Sequence, residues 1–349
     1  MRTRQREDAA HGEEGEPKAA APSRLRRPRS ECLRPPASDG QLSYDLVALV
    51  LSSNKAALQP GRRRQAVRQS WADEDARLGS PDDGAPSCSM RVIFVLGGSE
   101  APTLRGDELS LPVEDGYRQL SQKVLGAMAW LLDSVAFKFV LKTDDDSFVC
   151  LARLLALLHA FGGGGGRGLY LGAISKKHKV ITNPRHEHFE RWGDVEYVEL
   201  FNRTVYATYM QGAGYVLSAD LVDVATRRAA AIPRLPAIED ALVGTLVEGS
   251  NASVTNKPTA FRYKNRDEYA VTVCEKDTEF ALVHKLSTDE LRRCRRATQR
   301  RRSKRCPNGP CVCRTLGQEL HVPRFVVGTF AKAEQMQARR RGEEEEEEE

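Results

Sequence analysis

Two patterns of apolar and polar positions recur along the chain. Short continuous apolar runs end in small or acidic residues, and longer stretches repeat apolar positions every three or four residues. Leu46–Leu51 (LVALVL) runs into Ser52, Ser53 and Asn54. Arg91–Leu96 runs into Gly97 and Gly98, and Phe137–Leu141 leads into Asp144, Asp145 and Asp146. Bounded apolar runs of this length predict buried strands of a mostly parallel sheet. Helical spacing groups Ala66, Val67, Ser70 and Trp71, and from about Tyr117 to Leu132 it groups Leu120, Val124, Ala127, Met128 and Leu131. Leu151–His159 predicts a further amphipathic helix, Asp220–Arg228 one capped by Ser218, and Glu239 onward another. Strands alternating with helices predict an α/β fold.

At 349 residues the chain is long enough for one large or two ordinary domains. Residues 1–40 are rich in Arg, Glu, Pro and Ala and are expected to be disordered. The ordered domain is expected over 41–290, with a basic, Cys-containing extension over 291–330 and a disordered tail over 331–349 that ends in Glu343–Glu349. The net charge of +5 is mild. Nucleic acid is not favoured as a partner, because basic runs such as Arg292–Arg305 usually gather only counterions. The longest early apolar run is far shorter than the ~20 residues that span a bilayer, so either the protein is not membrane-anchored or its anchor lies outside this sequence. Eight cysteines do not make a disulfide scaffold in a chain this long, but five fall in the last quarter. Cys306, Cys311 and Cys313 suit a disulfide knot better than zinc, since their spacing is not a clean CxxC pair. Gly162–Gly166 reads as a linker or loop insertion rather than a phosphate loop. Asn202-Arg-Thr and Asn251-Ala-Ser are N-glycosylation acceptor patterns, which point weakly to a secretory route.

Chemistry concentrates at the Asp triplet. In open α/β sheets ligands sit beyond the carboxyl ends of strands. Carboxylates crowded there repel one another unless a cation lies among them, and hard divalent ions favour carboxylate oxygen. From these residues alone, a solvated acidic turn and a metal site weigh about equally. Arg64 and Arg68 stand one helical turn apart; one or two of these arginines suit an anion such as a diphosphate, and the rest a solvated face. Glu239 and Asp240 begin a helix, where an acid pair is structurally ordinary and is also a standard place for a general base. A metal-dependent phosphohydrolase is a competing class, but it would need more His and Asp ligands along the chain.

Five blocks in order carry a resemblance: the Arg-x-x-x-Arg-x-Ser-Trp helix (Arg64–Trp71), EDGYRQLSQKVLGAMAWLLDSVAFKFVLKTDDDSFV, YMQGAGYVLSADLV, Glu239-Asp240, and the late strand ending in His284. The chain resembles the β-1,3-glycosyltransferases, which include β-1,3-galactosyl-, β-1,3-N-acetylhexosaminyl- and Fringe-type enzymes, from about Tyr44 to His284. The block around the Asp triplet is closest to the proteoglycan-linker galactosyltransferases. The resemblance implies a GT-A, Rossmann-like fold and inverting, metal-dependent transfer from a UDP-hexose to a glycan hydroxyl. Galactose is favoured, with N-acetylgalactosamine and N-acetylglucosamine as alternatives. It implies Mn²⁺ (or Mg²⁺) on Asp146 and His284, with Asp144 beside them toward the nucleoside. Asp144, Asp145, Arg64, Arg68 and Lys123 fall on the donor side, and Asp240 is the base. Gly212, Gly214, Tyr215, Glu239 and Trp192 fall on the sugar and acceptor side. It also implies a type II membrane protein of the Golgi lumen.

Overall fold

The computed structural model describes residues 43–55, 60–72, 90–161, 166–263, 273–274 and 279–305. Cys306, Cys311, Cys313, both tails and most of the glycine run lie outside these residues.

The predicted strands form where the apolar runs stand. β1 (Ser43–Leu51) pairs in parallel with β2 (Met90–Gly97) on one side and β5 (Ala136–Asp144) on the other. β3 (Thr103–Arg105) and β4 (Glu108–Leu111) extend the β2 edge. β7 (Leu169–Ser175), β8 (Tyr209–Ser218) and β9 (Ser253–Asn256) complete an eight-stranded sheet in the order β3-β4-β2-β1-β5-β8-β7-β9. β8 runs antiparallel to both neighbours. A small second sheet joins β6 (Phe148–Val149), β10 (Phe261–Tyr263) and β11 (Leu282–His284).

β1 is the hinge of this topology. After it the chain moves outward to β2 and β4, then returns to β5 on the opposite flank, so a crevice opens where β1 and β5 end. The register sets Leu51 beside Asp144, which places the Asp triplet at that crevice.

Helices cover both faces. α2 (Leu120–Ser134), α6 (Ala219–Ala230) and α7 (Glu239–Val247) bury one cluster that includes Val124, Met128, Leu131, Leu221 and Leu246. α1 (Pro60–Val67), a π turn over Arg68–Ala72, and α3 (Leu151–Phe161) cover the other face with the small sheet. Short helices α4 (Phe189–Trp192) and α5 (Val195–Phe201) lie between β7 and β8. Ala66, Val67, Ser70 and Trp71 are all buried, as their shared face predicts. Ser218 does stand at the start of α6, but its hydroxyl accepts from the Leu169 amide (3.0 Å) rather than capping the helix.

The run expected to begin a separate basic extension is instead α8 (Thr288–Arg305), which buries Leu291 and Cys294 in the main core. Arg292 and Arg295 reach Gln69 within the π turn. A disulfide links Cys294 to Cys274, and a closed loop of this size stabilises by about 3 kcal/mol.

Candidate active site

The Asp turn is fastened from three sides. The Asp145 amide donates to Leu51 O (3.0 Å), the Leu286 amide to Asp146 O (2.8 Å), and Trp71 Nε1 to Ser147 O (2.8 Å). The Trp of the Arg-x-Ser-Trp helix is therefore an anchor for this turn. Asp145 faces inward: Ser52 Oγ donates to its Oδ2 at 2.7 Å, and burial pushes its carboxyl above the usual carboxylate range. Asp144 and Asp146 converge on His284, with one ligating atom from each lying within 4.8 Å of the others.

Asp146 Oδ1 is buried and makes no hydrogen bond of good geometry, although His284 Nδ1 lies 3.1 Å away. Ser147 Oγ approaches the same nitrogen, also at 3.1 Å. Burial raises the Asp146 carboxyl, but His284 and then Arg63 outweigh it and hold the group below the usual range. A buried carboxylate oxygen short of a partner, grouped with a second carboxylate and an imidazole, fits a divalent cation; two oxygens and one nitrogen suit Mn²⁺ or Mg²⁺.

One cation at this end comes from a position that pattern reading did not single out. Arg63 Nη1 stands 3.3 Å from Asp145 and 3.7 Å from Asp146, and its side chain is 42% exposed. Arg64 is turned inward to Glu108 (2.9 Å), Ser52 Oγ (3.2 Å) and Ser53 O (2.9 Å), so it braces the loop that braces Asp145. Arg68 does not reach the triplet. Its guanidinium is engaged by Asp107 through two bonds of 2.8 Å and by Glu108 at 2.6 Å, and the Asp107 bonds hold its charge firmly. Lys123 is also displaced from the expected donor role. It is buried, donating to Ser52 O (2.7 Å) and pairing with Asp115, which in turn accepts from the Gly97 and Asn54 amides. It supports the β1 loop from below.

The second half of the site is built on α7. Asp194 is fully buried; it accepts from Tyr206 (3.1 Å) and from the Ala237 amide (3.0 Å), while Ser121 donates to Pro236 O (2.6 Å). These bonds fix the loop before Glu239 and Asp240. Asp240 takes the Gly212 amide on Oδ2 (2.8 Å) and the Ala241 amide on Oδ1 (2.9 Å). A Cβ at position 212 would stand 3.0 Å from Oδ2, so glycine permits this close approach. Burial first, then Glu239, push the Asp240 carboxyl up to about 7, against the pull of Lys142 and the two amides.

Lys142 joins the two halves. Its buried ammonium lies 3.2 Å from Asp144, 3.1 Å from Glu239 and 2.6 Å from Gly212 O. Burial lowers its pKa, but Asp144, Glu239 and Asp240 together raise it far above an ordinary lysine, so it stays charged. Tyr215 donates to the other oxygen of Glu239. Tyr215 was expected to line the sugar, but it is fully buried and holds Glu239 from beneath. Glu239 is itself buried. Gly214 faces the core too: a Cβ there would meet Leu282 Cδ1 at 2.4 Å. Trp192 remains exposed beside Tyr117.

The crevice brings together Asp144, Asp146 and His284 at one end and an amide-held carboxylate at the other, at the switch point of an α/β sheet, and the chain's relatives make it the site of a glycosyltransferase. The galactosyltransferase family model matches residues 62–258. Mouse "Beta-1,3-galactosyltransferase 6" is 32% identical over 74% of this chain and 78% of its own length. Human "UDP-GlcNAc:betaGal beta-1,3-N-acetylglucosaminyltransferase 8" is 31% identical over 60% of this chain, which spans half of that relative. The chain belongs to the galactosyltransferase family of β-1,3-glycosyltransferases. Among solved structures, galactosyltransferase LgtC overlaps 69% of this chain and 87% of its own, with 13% identity and a TM-score of 0.34. A glycosyltransferase involved in glycosylation of the major capsid of PBCV-1 overlaps 73% and 99%, with 11% identity and a TM-score of 0.32.

Proposed function

We propose that the protein moves a hexose, galactose first, from a UDP-sugar to a glycan hydroxyl, with inversion and a β-1,3 linkage. The observation that carries this reading is the arrangement of Asp144, Asp146 and His284 around one point, with Asp240 across Lys142 in the first turn of α7. The mouse and human relatives named above support the choice of linkage and of donor class.

Asp146 and His284, with Asp144, would hold Mn²⁺ or Mg²⁺; a bound divalent ion supplies charge neutralisation for a diphosphate leaving group. Arg63 adds a solvent-accessible guanidinium on the same side, well suited to phosphate oxygens. Asp240 takes the proton of the attacking acceptor hydroxyl. Its two amide donors orient the carboxylate, and the raised pKa matches proton transfer near neutrality. Glu239, locked by Lys142 and Tyr215, sets the negative field that raises Asp240 and does not itself meet the acceptor.

The Golgi lumen is the compartment that suits the chain. The Cys274–Cys294 disulfide belongs to an oxidising environment, and Asn202 and Asn251 are both exposed. No helix among the described residues is long and apolar enough to cross a membrane. A type II anchor would therefore lie outside them.

The test is calorimetric titration of UDP in Mn²⁺. The wild-type protein binds UDP only with the metal present, Asp146→Ala loses that binding, and Asp240→Asn keeps it while transfer falls by about 10²–10⁴. Metal-independent UDP binding, unchanged in Asp146→Ala, would overturn the metal assignment.

A further inference from the structure

Lys176, Lys177, His178 and Lys179 follow β7 without a break, and all four are exposed. β5 and β7 both run antiparallel to β8, so they point the same way and end at the same edge of the sheet. The Asp triplet leaves that edge from β5 and the basic run leaves it from β7, with β8 between them. The run therefore borders the crevice beyond the carboxyl ends of the parallel strands, where ligands of α/β sheets sit.

Its place along that edge is the Asp240 end. The His178 ring lies 6.1 Å from the Tyr209 ring, centre to centre. Tyr209 begins β8 and packs against α7: a Cβ at Gly244 would stand 2.5 Å from Tyr209 Cβ. Gly244 is one helical turn beyond Asp240, and Gly212, near the start of the same β8, donates its amide to that carboxylate.

The run is firmly held. Ser175 and Val180 at its two ends are buried. The Val180 amide donates to Thr204 O (2.9 Å) and the Tyr206 amide to His178 O (3.0 Å). Lys177 has a φ of 60°, in the left-handed region that residues other than glycine seldom take. Such backbone persists only where its surroundings fix it, and it gathers at ligand sites. No carboxylate among the described residues forms an ion pair with Lys176, Lys177 or Lys179. Other cations with exposed side chains do find one: Lys138 pairs with Asp45, Arg203 with Glu248 and Arg227 with Asp223.

Like charges set side by side repel, and an anion among them relieves the repulsion. An ammonium is a point charge with three donors, which suits sulfate, phosphate and carboxylate alike. In the proposed function the donor's diphosphate belongs to the cation end, so an anion at the Asp240 end belongs to the acceptor. We propose that Lys176, Lys177 and Lys179 form a subsite for an anionic substituent of the acceptor glycan: a sulfate, a phosphate ester or a carboxylate. The subsite favours charged over neutral acceptors and takes no part in the transfer step. It rests on the reading of Asp240 as the acceptor-side base.

The test is equilibrium binding to the protein holding Mn²⁺ and UDP. Methyl β-galactoside is compared with its 6-sulfate, its 6-phosphate and methyl β-galacturonide, which differ only at C6. At least one charged ligand is expected to bind about three- to tenfold more tightly than the neutral one, the scale of two or three exposed ion pairs. The advantage shrinks as salt rises, and the ligand that gains most identifies the group. Lys176→Gln, Lys177→Gln and Lys179→Gln together remove the advantage, while UDP and methyl β-galactoside bind within twofold of wild type. Arg293→Gln, Arg296→Gln and Arg300→Gln together take the same charge from the exposed face of α8 and leave the advantage in place. No advantage in the wild type, one that survives the lysine changes, or one that the arginine changes remove equally, overturns the subsite. A lysine-dependent advantage with no sugar transferred by the wild type supports the subsite and counts against the proposed function instead.

Discussion

Replacing Lys142 by Met tests whether one buried ammonium holds the two halves of the site together. The side chain is 3% exposed and lies 3.1 Å from Glu239, whose side chain is 4% exposed. At an effective dielectric of ~20 that contact is worth about 5 kcal/mol before desolvation is counted. The Asp144 contact at 3.2 Å is weaker in effect, because Asp144 is a third exposed. Deleting one member of a buried pair leaves the other charge uncompensated and typically costs about 3–5 kcal/mol. In a domain of this size that lowers the melting temperature by about 6–20 °C. The catalytic consequence has a definite sign. Lys142 pulls the Asp240 carboxyl down against burial and Glu239, so its loss moves Asp240 above its value of about 7. The acid limb of the transfer rate should then shift to higher pH. Thermal unfolding followed by circular dichroism and a pH series with UDP-galactose read both effects. Adding Glu239→Gln should restore part of the lost stability, since the two changes share one contact. A melting temperature within about 2 °C of wild type, together with an unmoved acid limb, would refute the coupling.

Other outcomes follow from the same geometry. Wild-type transfer should rise with pH through an inflection near 7, because the base must be deprotonated; a rate flat from pH 5.5 to 8 would remove Asp240 from that role. The same group works against folding at high pH. Its carboxyl is raised from 3.8, so the stability it contributes is present below that value and is lost as pH climbs through about 7. Of the two glycosylation patterns, Asn202 is the better acceptor: it is exposed at the left-handed end of α5, whereas the Asn251 amide donates to Asp220 at 3.1 Å. On secretion from animal cells, Asn202→Gln should remove one glycan-sized step on a gel and Asn251→Gln should not; the reverse result would contradict this assignment.

Much of the scaffold is legible in the chain. The runs Leu46–Leu51, Ile93–Leu96 and Phe139–Leu141 are buried in neighbouring strands, so their apolar character is continuous and unambiguous. The Asp triplet, Glu239-Asp240 and His284 are also legible, because each stands at the end of an apolar element. What pattern reading misses is partnership across the fold. Lys142 looks like a stray charge in an apolar strand until α7, packed against β8 next to β5, brings Glu239 beside it. Arg63, Arg64 and Arg68 look alike in a basic helix, and only the β3–β4 hairpin carrying Asp107 and Glu108 decides which of them turn inward. Lys123 and Tyr215 resemble ligand contacts by residue type, yet both are buried where they brace other residues. The Cys274–Cys294 bond and the docking of α8 depend on distant pairs for which local periodicity carries no signal.

In the proposed function Asp144, Asp146, His284 and Asp240 work as one inverting, β-1,3-forming site. The most direct measurement is NMR linkage and anomer analysis of the product formed from UDP-galactose, Mn²⁺ and a β-linked glycoside acceptor. A single new β-1,3 galactoside is expected, absent when the metal is chelated and absent with Asp240→Asn. An α-linked product, or galactose released with no acceptor modified, would contradict it.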